Sequence, residues 1–261
     1  MVDPSPATSR LPGRKFGRGF GIDIGGSGMK AAVVDLDTGE LATDRVRIPT
    51  PKPATPEAMA VVAAELVRRH EWTGPIGVGF PGIVRHGVVY SAANLDASWV
   101  GVDADRVFTA ACGVDVAMVN DADAAGLAEV RWGAAHGVRG VVLVLTFGTG
   151  IGSGLFVDGT LVPNTELGHL ELDGRDAESH AAASVRERER IGWAQWAPRV
   201  ERYLRHVEML FSPDLIVVGG GASKSSDQWL PLITIETPIV AAAMENSAGI
   251  VGAALVARAA V

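Results

Sequence analysis

The chain has 261 residues, 48% hydrophobic and 20% charged, with 23 Lys and Arg against 30 Asp and Glu for a net charge of −7. That acidic balance argues against nucleic-acid binding, and no apolar run approaches the roughly 20 residues of a membrane helix. One cysteine, Cys112, excludes an intramolecular disulfide and any multi-cysteine metal site, while glycine, at 32 residues, is about 12% against a usual ~7%.

Residues 1–19 carry Pro, Ser, Gly and the cations Arg10, Arg14, Lys15 and Arg18, with no apolar core of a secretion signal. They read as a disordered leader of a cytoplasmic protein. GFGIDIGGSGMKAAVVDLDTGE (19–40) predicts a strand, a glycine turn and a second strand. Apolar spacing over 57–70 predicts a helix with Thr55 as N-cap and Pro56 at its first position. Strands are expected at 75–82 and 114–121, and a helix over 122–137 closed by Gly137. Residues 140–159 repeat the strand–glycine turn–strand pattern; 198–211 is an amphipathic helix; 215–221 is a strand running into three glycines; 247–260 is a small-residue helix.

An offset of 123 carries Asp23-Ile24-Gly25 onto Thr146-Phe147-Gly148, and Val34-Asp35 onto Val157-Asp158. Two matches at one offset point to duplicated α/β halves, and two such lobes facing each other make a cleft. The lobes are expected at 20–119 and 120–245, with a last helix in 246–261 packing back on the first.

Glycine concentrates at Gly25-Gly26-Ser27-Gly28, at Gly148 to Gly154, and at Gly219-Gly220-Gly221. Glycine lets successive N–H groups converge on phosphate oxygens, although any single loop is equally a tight turn. None continues as Gly-Lys-Ser/Thr, and the dinucleotide pattern fails at Ser153 and at Lys224. Asn120-Asp121 falls where a strand passes into a helix, so Asp121 either projects into the cleft or serves only as a helix cap. Glu166, His169 and Glu171 invite a metal reading, but no second histidine lies at ligand spacing. Asp23 suits magnesium held through water, and Lys30 is either a phosphate contact or a solvated strand residue.

In series, DIGGSGMK (23–30), NDADAAGLAE (120–129), LTFGTGIGSGL (145–155), ELGHLE (166–171) and VVGGGASK (217–224) resemble the ROK sugar kinases. Within that family they are most similar to the polyphosphate glucokinase subgroup. The resemblance covers about 19–258 and implies an actin-like (ribonuclease H-like) α/β fold, two similar lobes flanking a central cleft. It also implies transfer of a terminal phosphoryl from polyphosphate, and from ATP, to the glucose 6-hydroxyl, with magnesium as cofactor and a homodimer as assembly. Asp121 is then the base and, with Asn94, Asn120, Glu166, His169 and Glu178, holds the sugar. Gly25, Gly26, Ser27, Thr149, Gly150, Gly220 and Gly221 face the phosphates. Many family members carry a cysteine-rich zinc loop after this histidine; with Cys112 alone, no zinc site is expected, which matches the subgroup.

Polyphosphate demands a local run of cations, for which Arg186, Arg188, Arg190 and Lys224 are candidates; ERER equally describes a solvated helix face. The alternatives are an ATP-only glucokinase or other hexose kinase, and a non-catalytic sugar-sensing regulator.

Overall fold

Alternation within the first strand sets the first layer. In RGFGIDIG (Arg18–Gly25, β1), Phe20, Ile22 and Ile24 share one face, while Gly19 and Gly21 share the other. β1 pairs antiparallel with β2 (Gly28–Asp35), and the short β3 (Glu40–Leu41) and β4 (Val46–Ile48) both lie against β2. The computed structural model describes residues 17–92 and 95–259, so the leader through residue 16 and the sugar candidate Asn94 lie outside the described residues. The leader boundary shifts, because Arg18 and Gly19 are laddered to Asp35 and Val34.

Helix α1 (Pro56–Arg69) follows, with the Thr55 hydroxyl accepting the Ala58 N–H at 3.4 Å. Then come β5 (Ile76–Phe80), parallel to β1, the hairpin of β6 (Val84–Arg85) and β7 (Val88–Val89), α2 (Ala104–Cys112), and β8 (Val116–Asn120), parallel to β5. The sheet order is β3-β2-β1-β5-β8.

The second half opens with α3 (Asp121–Arg131) and the hairpin of β9 (Val141–Phe147) and β10 (Ile151–Val157), continued by β11 (Thr160–Val162). The small pair β12 (Glu171–Leu172) and β13 (Arg175–Asp176) leads to α4 (Glu178–Ala181), α5 (Ala183–Glu189) and α6 (Trp193–Phe211). β14 (Leu215–Gly219), α7 (Ser226–Trp229), β15 (Ile239–Ala241) and α8 (Ala248–Ala259) complete it. Sheet order β11-β10-β9-β14-β15 repeats the first sheet's plan of an antiparallel hairpin followed by parallel strands. β1 and β9 start at residues 18 and 141, and β2 and β10 at 28 and 151, a difference of 123 in both cases.

Five layers result. α1 and α2 cover the outer face of the first sheet, meeting Phe20, Ile22, Val78 and Phe80. Between the sheets lie α8, against β1 and β5, and α3, against β9 and β10; the two helices pack on each other. α6 covers the far face of the second sheet with Trp196, Tyr203 and Leu204 against Leu145 and Phe147. Much of the glycine excess belongs to this packing rather than to the loops. A Cβ at Gly21 would overlap the Ile250 carbonyl, one at Gly77 the Ala253 carbonyl, and one at Gly252 the Ala124 carbonyl. Strand and helix backbones therefore touch where any side chain would hold them apart.

Two helices, α3 and α6, have a boundary that differs from the sequence reading. α3 stops at Arg131, because the buried Glu129 carboxylate reaches forward to the Ala134 N–H at 2.8 Å and turns the chain. The same carboxylate accepts the N–H groups of Ala243 at 3.1 Å and Met244 at 2.7 Å, tying α3 to the segment before α8. α6 begins at Trp193, five residues earlier than expected, with Gln195 accepting the Gly192 N–H at 3.1 Å; Pro198 lies inside the helix. Leu167–His169 is a 3-10 turn, and a short strand begins at Glu171. Among the described residues, no helix is long and apolar enough to cross a membrane.

Candidate active site

Asp121 stands at the junction of the two halves. β8 ends at Asn120, whose side chain caps α3: its Oδ1 accepts the N–H groups of Ala122 (2.9 Å) and Asp123 (3.0 Å), while its Nδ2 donates to the Gly82 carbonyl (3.1 Å). The cap is therefore Asn120, and Asp121 is the first helical residue, free of the cap role that was its alternative reading. Only the second Nδ2 hydrogen of Asn120 remains for a ligand. Burial pushes the Asp121 carboxyl up to about 7, the neighbouring Asp23 carboxylate adds to the rise, and Glu166 and Asp123 contribute in the same direction. Asp23 belongs to the first sheet and Glu166 to the second half, so Asp121 sits where carboxylates from both lobes converge.

Asp123, absent from the sequence candidates, is 1% exposed, and burial pushes it too up to about 7. Its Oδ2 accepts the Asn164 N–H at 2.7 Å, and the Asn164 amide in turn pairs with both the N–H and the carbonyl of Val84 at 2.9 Å. This three-residue chain clasps the lobes beside the site. Hydropathy patterning carries no sign of it, since its contacts run 41 and 80 residues along the chain.

The first glycine loop is held from outside. Thr50 donates its hydroxyl to the Gly25 carbonyl at 2.5 Å, and Arg47 donates to the Ser27 carbonyl at 2.5 Å with its guanidinium against Gly28, leaving Gly26 open. Asp23 and Lys30 face each other across β1 and β2, with Nζ and Oδ2 3.3 Å apart. In the second loop the carbonyls are tied back: Ser184 donates its N–H to the Gly148 carbonyl at 3.0 Å and its hydroxyl to the Thr149 carbonyl at 2.6 Å. The N–H groups of Thr149 and Gly150 keep no partner among the described residues, which is what an incoming phosphoryl oxygen requires. β14 runs parallel to β9, so the third loop lies beside the second, and a Cβ at Gly220, where φ is +77°, would press on the Phe147 backbone.

The sugar candidates gather on the second-lobe side. Glu166 precedes the 3-10 turn as its N-cap residue, and His169 is the last residue of the turn. Burial raises the Glu166 carboxyl above the usual range against the pull of His169, while a hydrogen bond to Asp176 raises His169. Glu178 accepts the Ile151 N–H at 3.0 Å and lies against Gly150, between sugar side and phosphate side. Ligand atoms of His169, Asp176 and Glu178 lie within 4.8 Å of one another. Histidine spacing alone did not reveal this grouping, and the 2.7 Å bond from His169 Nδ1 to Asp176 already occupies the facing atoms of two of them. Asp23 presents a carboxylate on the first strand, and magnesium commonly takes one or two carboxylates beside waters and phosphate oxygens, so this residue fits that ion.

Of the donor-side cations, Arg186 lies over Trp193, 3.9 Å from the ring centre, on the same short helix as Ser184. Arg188, Arg190 and Lys224 are exposed. Trp99 and Trp196 are fully buried core residues.

Residues 19–187 match the model of the ROK family. The polyphosphate glucokinase of Mycobacterium tuberculosis (strain CDC 1551 / Oshkosh) is 52% identical over 257 residues, 98% of this chain and 97% of that protein. The solved inorganic polyphosphate/ATP-glucomannokinase of Arthrobacter sp. strain KM superposes with a TM-score of 0.88 at 53% identity, covering 94% of this chain and 100% of that one. The ROK glucokinase of Streptomyces griseus, solved with glucose and AMPPNP, shares the fold with a TM-score of 0.78 at 24% identity, over 93% of this chain and 100% of its own.

Proposed function

Because the chain belongs to the ROK family, we propose that it is a polyphosphate-dependent glucokinase, transferring the terminal phosphoryl of inorganic polyphosphate, and of ATP, to the 6-hydroxyl of glucose. The observation that carries the chemistry is the Asp121 carboxylate, raised to about 7 at the point where both lobes and the glycine loops meet. A base of that strength is matched to taking a hydroxyl proton near neutral pH.

Asp121 accepts the 6-hydroxyl proton as the oxygen bonds to the terminal phosphorus. The bridging P–O bond breaks, and the donor leaves one phosphate shorter. The free N–H groups of Thr149 and Gly150 receive the transferred group's charge, with Gly25, Gly26, Ser27, Gly220 and Gly221 shaping the rest of the phosphate side. Lys30 keeps Asp23 oriented while adding positive charge. Asp23 would hold magnesium through water, and the ion would neutralise charge on the phosphates. Asn120, Glu166, His169 and Glu178 bind the sugar hydroxyls; Asn94 joins them in this reading. Support for the polyphosphate donor comes from the 52% and 53% identical relatives, and the name of the second extends the sugars to test to mannose. A cytoplasmic homodimer completes the proposal, on the family resemblance.

Asp121→Ala tests it: phosphorylation falls to background while glucose still binds by calorimetry. Near-normal turnover in that variant would remove Asp121 from the role of base.

A further inference from the structure

One hydrogen bond in the sugar site has no counterpart among the residues assigned to binding. His169 Nδ1 and Asp176 Oδ2 are 2.7 Å apart. The other oxygen of the same carboxylate accepts the Glu178 N–H at 3.1 Å, and the Asp176 carbonyl accepts the Ser179 hydroxyl at 2.6 Å, so the start of α4 fixes where this carboxylate stands. Glu178 in turn holds the Ile151 N–H at the rim of the second glycine loop.

We propose that Asp176 is a positioning residue for the sugar site: as an acceptor-only group it keeps the His169 proton on Nδ1, and so presents Nε2 as an acceptor to a sugar hydroxyl. This rests on the reading of His169 as a sugar ligand. An ionised carboxylate has no hydrogen to donate, so the ring atom facing it must carry one. In the neutral imidazole the remaining nitrogen is then a lone-pair acceptor, and the second bond also fixes the ring's rotation. A His169 without this partner would divide itself between two tautomers, only one of which accepts from a hydroxyl.

Asp176→Asn separates this role from the helix start. Its amide oxygen still serves the Glu178 N–H, while its NH2 group turns toward the ring, so His169 must accept through Nδ1 and carry its proton on Nε2. Long-range 1H–15N correlation spectra of the apo enzyme at alkaline pH read the tautomer directly. The wild type is expected to show Nδ1–H, and Asp176→Asn is expected to show Nε2–H. The glucose KM, measured at the same alkaline pH where the ring is neutral, should rise about tenfold, the usual scale for losing one oriented hydrogen bond to a ligand, with kcat much less affected. Nε2–H already present in the wild type would overturn the inference whether or not the variant folds, and so would an unchanged KM in a folded variant. His169→Ala keeps the two readings apart. If it raises the KM while Asp176→Asn does not, the positioning role fails alone; if His169→Ala leaves the KM unchanged, the sugar-site reading of His169 fails.

Discussion

Asp121→Asn should abolish turnover and stabilise the protein, and the second effect can be worked from the structure. The folded carboxyl is pushed from 3.8 up to about 7, first by burial and then by the Asp23 carboxylate. A carboxyl with a raised folded pKa binds its proton in the folded state while the unfolded chain has already lost it. Wild-type stability therefore falls as pH rises from about 4 to about 7, and is flat in this group above that. A shift of about three units at about 1.4 kcal/mol each sets a ceiling of about 4 kcal/mol. Asparagine has the shape without the charge, so the variant escapes this loss. Urea or thermal unfolding of the apo protein in chelator would show equal stabilities near pH 4 and a gap that opens until about pH 7. At roughly 2–4 °C per kcal/mol for a chain of this size, the gap is on the order of 10 °C. Turnover should fall by about 10²–10⁴ for loss of the base. Parallel stability curves for the two proteins would refute the claim that Asp121 is a desolvated carboxylate under repulsion.

Three further perturbations probe the frame and the donor side. Glu129→Ala orphans the N–H groups of Ala134, Ala243 and Met244 in a buried setting, and should cost about 3 kcal/mol or more in urea unfolding. Gly77→Val drives a branched side chain into the Ala253 carbonyl; a loss of about 1–3 kcal/mol or failure to fold is expected, and wild-type stability would contradict the direct packing of α8 on β5. Arg186→Ala should raise the KM for polyphosphate several-fold while the glucose KM stays put, a split that initial-rate kinetics with each substrate varied will read.

Much of the architecture was legible because it is periodic. The paired hairpins, the Thr55 cap and the 123-residue offset all follow from local alternation and turn chemistry, and the structure aligns the hairpin starts at 18 and 141. Glycine was legible only in part. The loops announce themselves, but Gly21 and Gly77 read as strand residues until α8 is placed on them. α3 and α6 were misjudged at their ends, since Glu129 and Gln195 act through their side chains on backbone that pattern does not foresee. At the site, Asp121, Glu166 and His169 fell within motifs. Arg47, Asn164 and Asp176 did not, and Asp123 lay inside NDADAAGLAE without standing out, because each works through a partner brought near by the fold: Arg47 through Ser27, Asn164 through Val84 and Asp123, Asp176 through His169. The role of Asn120 changed for the same reason, its amide being largely spent on capping α3.

The central claim is phosphoryl transfer from polyphosphate to glucose at Asp121. Purified protein freed of nucleotide, given glucose, magnesium and inorganic polyphosphate, should form glucose 6-phosphate at a rate that Asp121→Asn reduces to background. Absence of product from polyphosphate while ATP supports turnover would contradict the donor assignment, and product formed equally by wild type and variant would contradict the site.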